Sequence, residues 1–465
     1  MDAADRVDRA PAVRGAAHVT RASSLWPASG RARLLIVACL AIGSLHLGKA
    51  ILRGTEFTQG DFYFSLPGLY AERLNPTLWN SPDIQAARDF SRGRYLYGPT
   101  QYLTLFPIVF LNSYGAIATA LLAAYVAVIM GACYLLWKLV TLDDLAPPVM
   151  GAVVFAIVAA FLPLTQALIQ REFEVVAFLA LVGACLLFAR GRDAASGAVV
   201  AYLTWFKYWP IVLLAAFVMH RRYRGLAAFT AASAGLLLAA QLVFGLQHFI
   251  IGKTIDIIGG LVRPLGGGEV LYPAMPRGAL KSDFCRQWIW GRGTAADVRW
   301  ELCGVEDRWP LFPARTVFAV LVVVTAALFV WGSYRLERSG HNPVAAKWAA
   351  IWEFSLLTMG GASFVHGHYY YFIVFLLPFV TLTYWYATKQ QPWRWTKVAL
   401  LAASYLLLNA FMAPTSWLSL LLQRDAWGLY LDSGLTLLGT VLLLALVLWE
   451  FARLSLRPSA ALAPM

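Results

Sequence analysis

Four stretches of the sequence set ionisable side chains beside long apolar runs, and each could do chemistry. In "TQGDFYFSLPGLY", Asp61 is a lone carboxylate followed by Phe62 and Tyr63. Aromatic neighbours restrict water and lift a carboxylate's pKa toward the range of a general base. The same residue also reads as a helix N-cap accepting backbone N–H groups. "QREFE" gathers Arg171, Glu172 and Glu174 between two apolar spans. It is either a contact for an anionic group, with Arg171 meeting the charge, or a solvated turn with a weak local ion pair. "WFKYWP" sets Lys207 among aromatics, where an ammonium can hold phosphate as a point charge. Snorkelling toward headgroups is the alternative. "FVHGHYYYF" carries His366 and His368. Two histidines fall short of the three or four ligands zinc needs. Hydrogen bonding to a sugar or phosphate and packing among the tyrosines both remain open. Ionisable groups near membrane depth are expensive and are functional candidates for that reason.

The elements that must position these residues are membrane helices. Hydrophobic residues make up 60% of 465, against 14% charged, and apolar runs of about 20 residues recur along the whole chain. Spans are expected near 33–52, 115–139, 149–169, 174–189, 225–246, 314–334, 344–362, 369–387, 397–414 and 432–452. The stretch 194–219 has basic clusters at both ends, "RGRD" and "HRRYR", and Pro210 near its middle. A hairpin of two short helices broken at "WFKYWP" keeps both clusters on one side, and irregular backbone at depth is tolerated where it lines a cavity. The fold class is therefore all-α, a polytopic bundle of about twelve membrane helices. Lys and Arg gather in short stretches beside the spans, the positive-inside pattern, which puts both termini in the cytoplasm. Residues 1–32 are a polar cytoplasmic arm without the apolar region of a cleavable signal peptide, 33–452 the transmembrane domain, and 453–465 a cytoplasmic tail. Loops 53–114 and 247–313 face outward, and in the first "YGPTQYLTLFPIVFL" reads as a helix lying on or dipping into the outer leaflet.

The net charge of +13 lies in these flanking clusters, which argues against nucleic acid and for membrane lipids as neighbours. Cys39, Cys133 and Cys185 fall inside apolar spans, whereas Cys285 and Cys303 share the long outer loop, where a disulfide between them is permitted but not required. Gly266, Gly267 and Gly268 lack the flanking strand and helix of a nucleotide site. Many of the 18 Trp and 20 Tyr belong to the aromatic belts. A second carboxylate in an Asp-x-Asp pattern is missing beside Asp61, so no metal and no cofactor is expected.

The order of motifs, "GDFYF", "YLYGPTQYLTLFPIVFL", "QREFEVVAFLALVGACLLFARGR", "WFKYWPIVLLAAFVMHRRYRG" and "SFVHGHYYYFIVFLLPF", resembles glycosyltransferase family 87. These are GT-C-fold enzymes of the polyprenol-phosphate-mannose-dependent mannosyltransferase type. The family's aspartate followed by aromatics is matched at Asp61, Phe62 and Tyr63. Its tyrosine-proline pair is interrupted here by Gly98, between Tyr97 and Pro99. Its glycine-glutamine-x-asparagine turn is replaced by Gln170, Arg171, Glu172 and Phe173, and its lysine-proline element is stretched to Lys207–Pro210. The resemblance implies an inverting transfer of a sugar, mannose by family analogy, from a polyprenyl-phosphate donor to a lipid or glycan acceptor. Asp61 would be the general base, Lys207, Arg171, His366 and His368 would meet the donor phosphate, and Glu172, Tyr63 and Tyr97 would contact substrate. The site would face the periplasm from a bacterial inner membrane. A transporter or flippase for a lipid-linked or anionic solute is the rival from another class. It predicts charges deep in several spans and repeated halves. The charges instead collect at one rim, and no repeat is visible.

Overall fold

The structure, a computed structural model, describes residues 29–56, 98–111, 113–142, 148–244, 314–338, 343–365, 369–389, 392–409 and 435–456. Among the described residues the chain is helical and contains no strand. In chain order the helices are α1 (Gly30–Glu56), α2 (Pro99–Leu105), α3 (Tyr114–Val140), α4 (Pro148–Ala159), α5 (Leu162–Gln170), α6 (Glu174–Ala189) and α7 (Asp193–Lys207). After them come α8 (Leu214–Met219), α9 (Tyr223–Phe244), α10 (Ala314–Arg338), α11 (Pro343–Val365), α12 (Leu376–Thr388), α13 (Arg394–Asn409) and α14 (Leu435–Leu456). Short 3₁₀ turns at Phe106–Phe110, Trp209–Leu213 and Tyr369–Phe375 follow α2, join α7 to α8 and lead into α12.

Four described helices are long and apolar enough to cross a membrane: Gly30–Thr55, Gly115–Val140, Tyr223–Val243 and Leu438–Leu456. The bent pair α4–α5 makes a fifth. The expectation of about twelve crossings goes beyond these lengths. The 16 residues of α6 rise about 24 Å, short of a hydrocarbon core of about 30 Å. Helix α11 carries Lys347 and Glu353.

The break between α4 and α5 follows from Pro163, at the start of α5, whose ring excludes the helical carbonyl four residues back. The two halves meet at 62°. Asn409 at the end of α13 seals the opened backbone: its Oδ1 accepts from the Leu162 N–H at 2.5 Å, and its Nδ2 donates to the Ala160 carbonyl at 2.9 Å. A polar side chain from a neighbour thus supplies what the proline removed.

The stretch from α7 to α8 is a hairpin. Arg222, just past α8, donates to Asp193 Oδ1 at 2.6 Å and to the Phe188 carbonyl at 2.7 Å, beside the start of α7. Its guanidinium lies 3.9 Å from the centre of the Phe188 ring, which packs edge-on against Phe217. Both basic clusters therefore sit at one end of the bundle, the basic end, as the charge pattern predicts. At the opposite turn Tyr208 takes φ 62° and ψ −45°, a strained conformation for an L-residue that reverses the chain within one position.

Helix α6 is the centre of the bundle. Apart from Glu174 its buried residues are apolar, and α3, α5, α7 and α11 all pack against it. A helix apolar on every face must be enclosed by others. Cys133 and Cys185 are buried free thiols in this core, and Cys39 packs in a small cluster between α1 and α4.

Candidate functional site

The end of the bundle opposite the basic clusters is built around the first turn of α6. Helix α5 ends in a Schellman turn, with the Glu172 N–H on the Ala167 carbonyl at 2.7 Å and the Arg171 N–H on that of Leu168 at 3.2 Å. That motif needs a left-handed residue, usually glycine, yet here Arg171 occupies it at φ 54°, ψ 43°. The side chain accounts for the choice. Buried to 3% exposure, it donates from Nη2 to the Gly54 carbonyl at 2.7 Å and from Nε to the Ala118 carbonyl at 3.2 Å. One guanidinium therefore ties the last turns of α1 to the first turns of α3. Tyr125 Oη, donating to the Arg171 carbonyl at 3.3 Å, holds the turn from the other side.

Glu174, the first residue of α6, pairs with Lys207, the last residue of α7, at 2.7 Å. The two side chains are 7% and 6% exposed, so this is a buried ion pair. Each charge sits at the helix end whose dipole favours it, the carboxylate at an N-terminus and the ammonium at a C-terminus. Phe173, with its ring edge-on to both Tyr125 and Phe206, fills the space between the turns. Glu172 is buried as well, at 8% exposure.

Helix α2 enters from the same end and packs against α7 and α9. Gly98 is pressed on the carbonyl of Trp205 so closely that a Cβ there would overlap the oxygen. Thr100 Oγ1 donates to the Tyr202 carbonyl at 3.1 Å, and Thr104 Oγ1 lies 2.8 Å from the Tyr202 hydroxyl. Tyr202 precedes the hairpin turn by more than one helical turn, so α2 descends alongside α7 past the level of Lys207.

The sequence singled out Arg171, Glu172 and Lys207, and the structure brings all three to this end in adjoining turns. Asp61, Tyr63, Tyr97, His366, His368, Cys285 and Cys303 lie outside the described residues. The described chain on either side of the acid and the histidines nonetheless converges here. Helix α1, which ends at Glu56, is held by Arg171 through Gly54. Near the end of α11, Gly361 packs on Trp209 and Val212 just past the hairpin turn. The 3₁₀ turn Tyr369–Phe375 packs against α5, α6 and α11. Sequence reasoning singled out Glu174 within "QREFE" but not its pairing with Lys207, which depends on how α6 and α7 meet. One member of the site was missed altogether. It is Gln101 on α2, a lone neutral amide inside "YGPTQYLTLFP".

Residues 95–251 match the family model of Glycosyltransferase family 87, about a third of the chain. No curated protein and no solved structure gives a match. The matched stretch runs from the residues before α2 to just beyond α9, so it contains Gln101, Arg171, Glu174 and Lys207 but neither Asp61 nor the two histidines. Over those residues the chain resembles a family of membrane glycosyltransferases, in keeping with its apolar helices.

Proposed function

We propose that this protein is an inverting glycosyltransferase that moves a sugar, mannose by family analogy, from a polyprenyl phosphate to a lipid or glycan acceptor. The observation that carries the reading is the buried Lys207–Glu174 pair inside the matched stretch, at the end of the bundle where Arg171 anchors the helix leading to Asp61. The positive-inside distribution favours a periplasmic position for this end in a bacterial inner membrane.

In the reaction, Asp61 takes the proton of an acceptor hydroxyl as that oxygen attacks the anomeric carbon. The bond from that carbon to the phosphate oxygen breaks, and the electron pair leaves with the polyprenyl phosphate. The ring passes through an oxocarbenium-like state, and the charge that grows on the phosphate needs preorganised donors. Lys207 supplies a point charge for it, with Arg171, His366 and His368 as further phosphate contacts. Glu172, Tyr63 and Tyr97 contact the sugar or acceptor. Metal ions and cofactors have no role in this scheme. Lys207 must pass from Glu174 to the phosphate, so the pair is the resting form of the donor site.

The test is glycosyl transfer by purified protein in liposomes, using polyprenyl-phosphate mannose and a membrane-lipid extract as acceptor. Wild type should transfer, and Asp61→Asn should lose about 10²–10⁴-fold in rate, the usual contribution of a general base. Equal rates would remove Asp61 as base. Absence of transfer by wild type with mannose, glucose and galactose donors alike would overturn the reaction class.

A further inference from the structure

The side chain of Gln101 is fully buried, and among the described residues neither its Oε1 nor its Nε2 has a hydrogen-bond partner. Buried amides in native proteins are nearly always satisfied, and one that is not carries the full desolvation penalty of both its functions. The neighbouring elements repeat the pattern. The last turn of α7 holds Thr204 Oγ1 and Trp205 Nε1, both buried and without a partner among the described residues, and α9 adds Ser233 Oγ. Thr204 precedes Lys207 by three residues and so shares its helix face. Gln101 stands three residues after Gly98, on the face of α2 that begins at the contact with Trp205.

These groups have the right chemistry for a polyol. An amide accepts through its carbonyl and donates through its NH₂, which suits two adjacent hydroxyls, each able to do both. Threonine adds a group of both kinds, and an indole N–H adds a donor. Aromatic walls are at hand in Tyr202, Phe206 and Tyr208: the ring of Tyr202 lies against that of Phe206, and the ring of Tyr208 against that of Trp205. A site built to hydrogen-bond a hydroxyl rejects an analogue lacking it far more strongly than an apolar pocket can.

We infer that the Gln101 amide is the specificity-determining group for the transferred sugar, binding adjacent hydroxyls beside Thr204 and Trp205. The inference rests on the glycosyltransferase reading and deepens it. The amide is fully covered, so sugar binding must be accompanied by a shift of the short helix α2 against α7.

The experiment compares wild type, Gln101→Leu and Gln101→Met in detergent by thermal unfolding. Each is measured alone, with polyprenyl phosphate, and with polyprenyl-phosphate mannose, glucose or galactose; kcat/KM is then measured for each sugar donor. Wild type should be stabilised more by one sugar donor than by polyprenyl phosphate. The variants should unfold at or above the wild-type temperature, because an unsatisfied amide has been removed. They should respond equally to donor and bare polyprenyl phosphate, and lose about tenfold or more in preference between sugars. A variant that keeps the sugar-dependent stabilisation and the preference overturns the role of Gln101 and leaves the reaction class standing. Unfolding of both variants well below wild type also overturns it, since the amide is then structural. Wild type that responds to no sugar donor overturns this inference together with the reading beneath it.

Discussion

The two ends of the bundle both bury charge, but they satisfy it differently. At the basic end Glu353 has both oxygens engaged, one 2.7 Å from His220 Nε2 and the other accepting from Ser333 Oγ at 2.5 Å. Glu450 accepts from Lys397 at 2.5 Å and from the Trp385 indole at 3.0 Å, with Arg453 at 3.7 Å. Five helices, α10 to α14, are cross-linked through these two carboxylates by side chains on regular backbone. At the opposite end Arg171 is held by backbone carbonyls of two helices, Glu174 and Lys207 pair beside the strained turn at Tyr208, and Gln101 is unsatisfied among the described residues. Strain alone does not distinguish the ends, since Arg221 and Trp393 also have positive φ in the basic turns. The kind of group left over does. Beside the basic-end carboxylates Trp352 Nε1 and Tyr386 Oη, the latter on a ring that lies under Lys397, have no partner among the described residues, whereas at the other end an amide, Gln101, has neither its donor nor its acceptor met. Paired carboxylates hold helices together; an unmet amide is poised to meet something else.

Exchanging each buried pair for apolar residues sharpens that contrast most. Replacement of a buried ion pair by well-packed side chains is often neutral or stabilising by about 1–4 kcal/mol. Lys397→Met/Glu450→Leu and Lys207→Met/Glu174→Leu should therefore both fold, as judged by thermal unfolding. Transfer should survive in the first double variant and fall about 10²–10³-fold in the second, the usual loss when a charge-stabilising donor is removed. Equal activity in the two would break the comparison. Removing one partner alone is harsher on the fold: Glu450→Leu strands the Lys397 ammonium and should cost about 3–5 kcal/mol in unfolding free energy. Next come the glycines. A Cβ at Gly98 would overlap the Trp205 carbonyl, and one at Gly197 that of Gly225. Each alanine variant should lose about 1–3 kcal/mol by overpacking, but only Gly98→Ala should also lose transfer beyond its loss of stability.

Much of the helical order was legible in the sequence, because apolar run length and basic flanks report directly on the environment each segment needs. The hairpin at 194–219 was deduced from its basic flanks and the break at Pro210, and the Arg222–Asp193 contact closes it. Crossing number was less legible: hydropathy does not register that Pro163 breaks one span or that α6 is short because it is enclosed by protein. At the site, Arg171 and Lys207 stood out as charges in apolar surroundings. Their immediate contacts did not, since a guanidinium bound to the carbonyls of Gly54 and Ala118 leaves no trace in residue type. Gln101 was hidden for the opposite reason. A single neutral amide in an apolar segment becomes informative only once its burial and missing partners are known.

The smallest effect concerns the pH response of the basic end. His220 lies in the turn after α8, outside the helices, facing Glu353. Burial disfavours its charged form, but the hydrogen bond and charge of Glu353 outweigh this, with Glu337 adding and Arg222 opposing, so its pKa is raised above the ordinary value. A group whose pKa is raised by folding contributes stability that is complete below the unfolded value of about 6.5. That contribution is lost as pH rises through the folded value. Unfolding temperatures of wild type and His220→Gln measured between pH 5.5 and 9 should therefore differ most at the acid side and converge toward alkaline pH. Transfer measured at one pH should barely change, because His220 belongs to the end that holds the bundle together. Parallel curves would detach His220 from the pH response, and a large loss of transfer would show that the two ends are coupled.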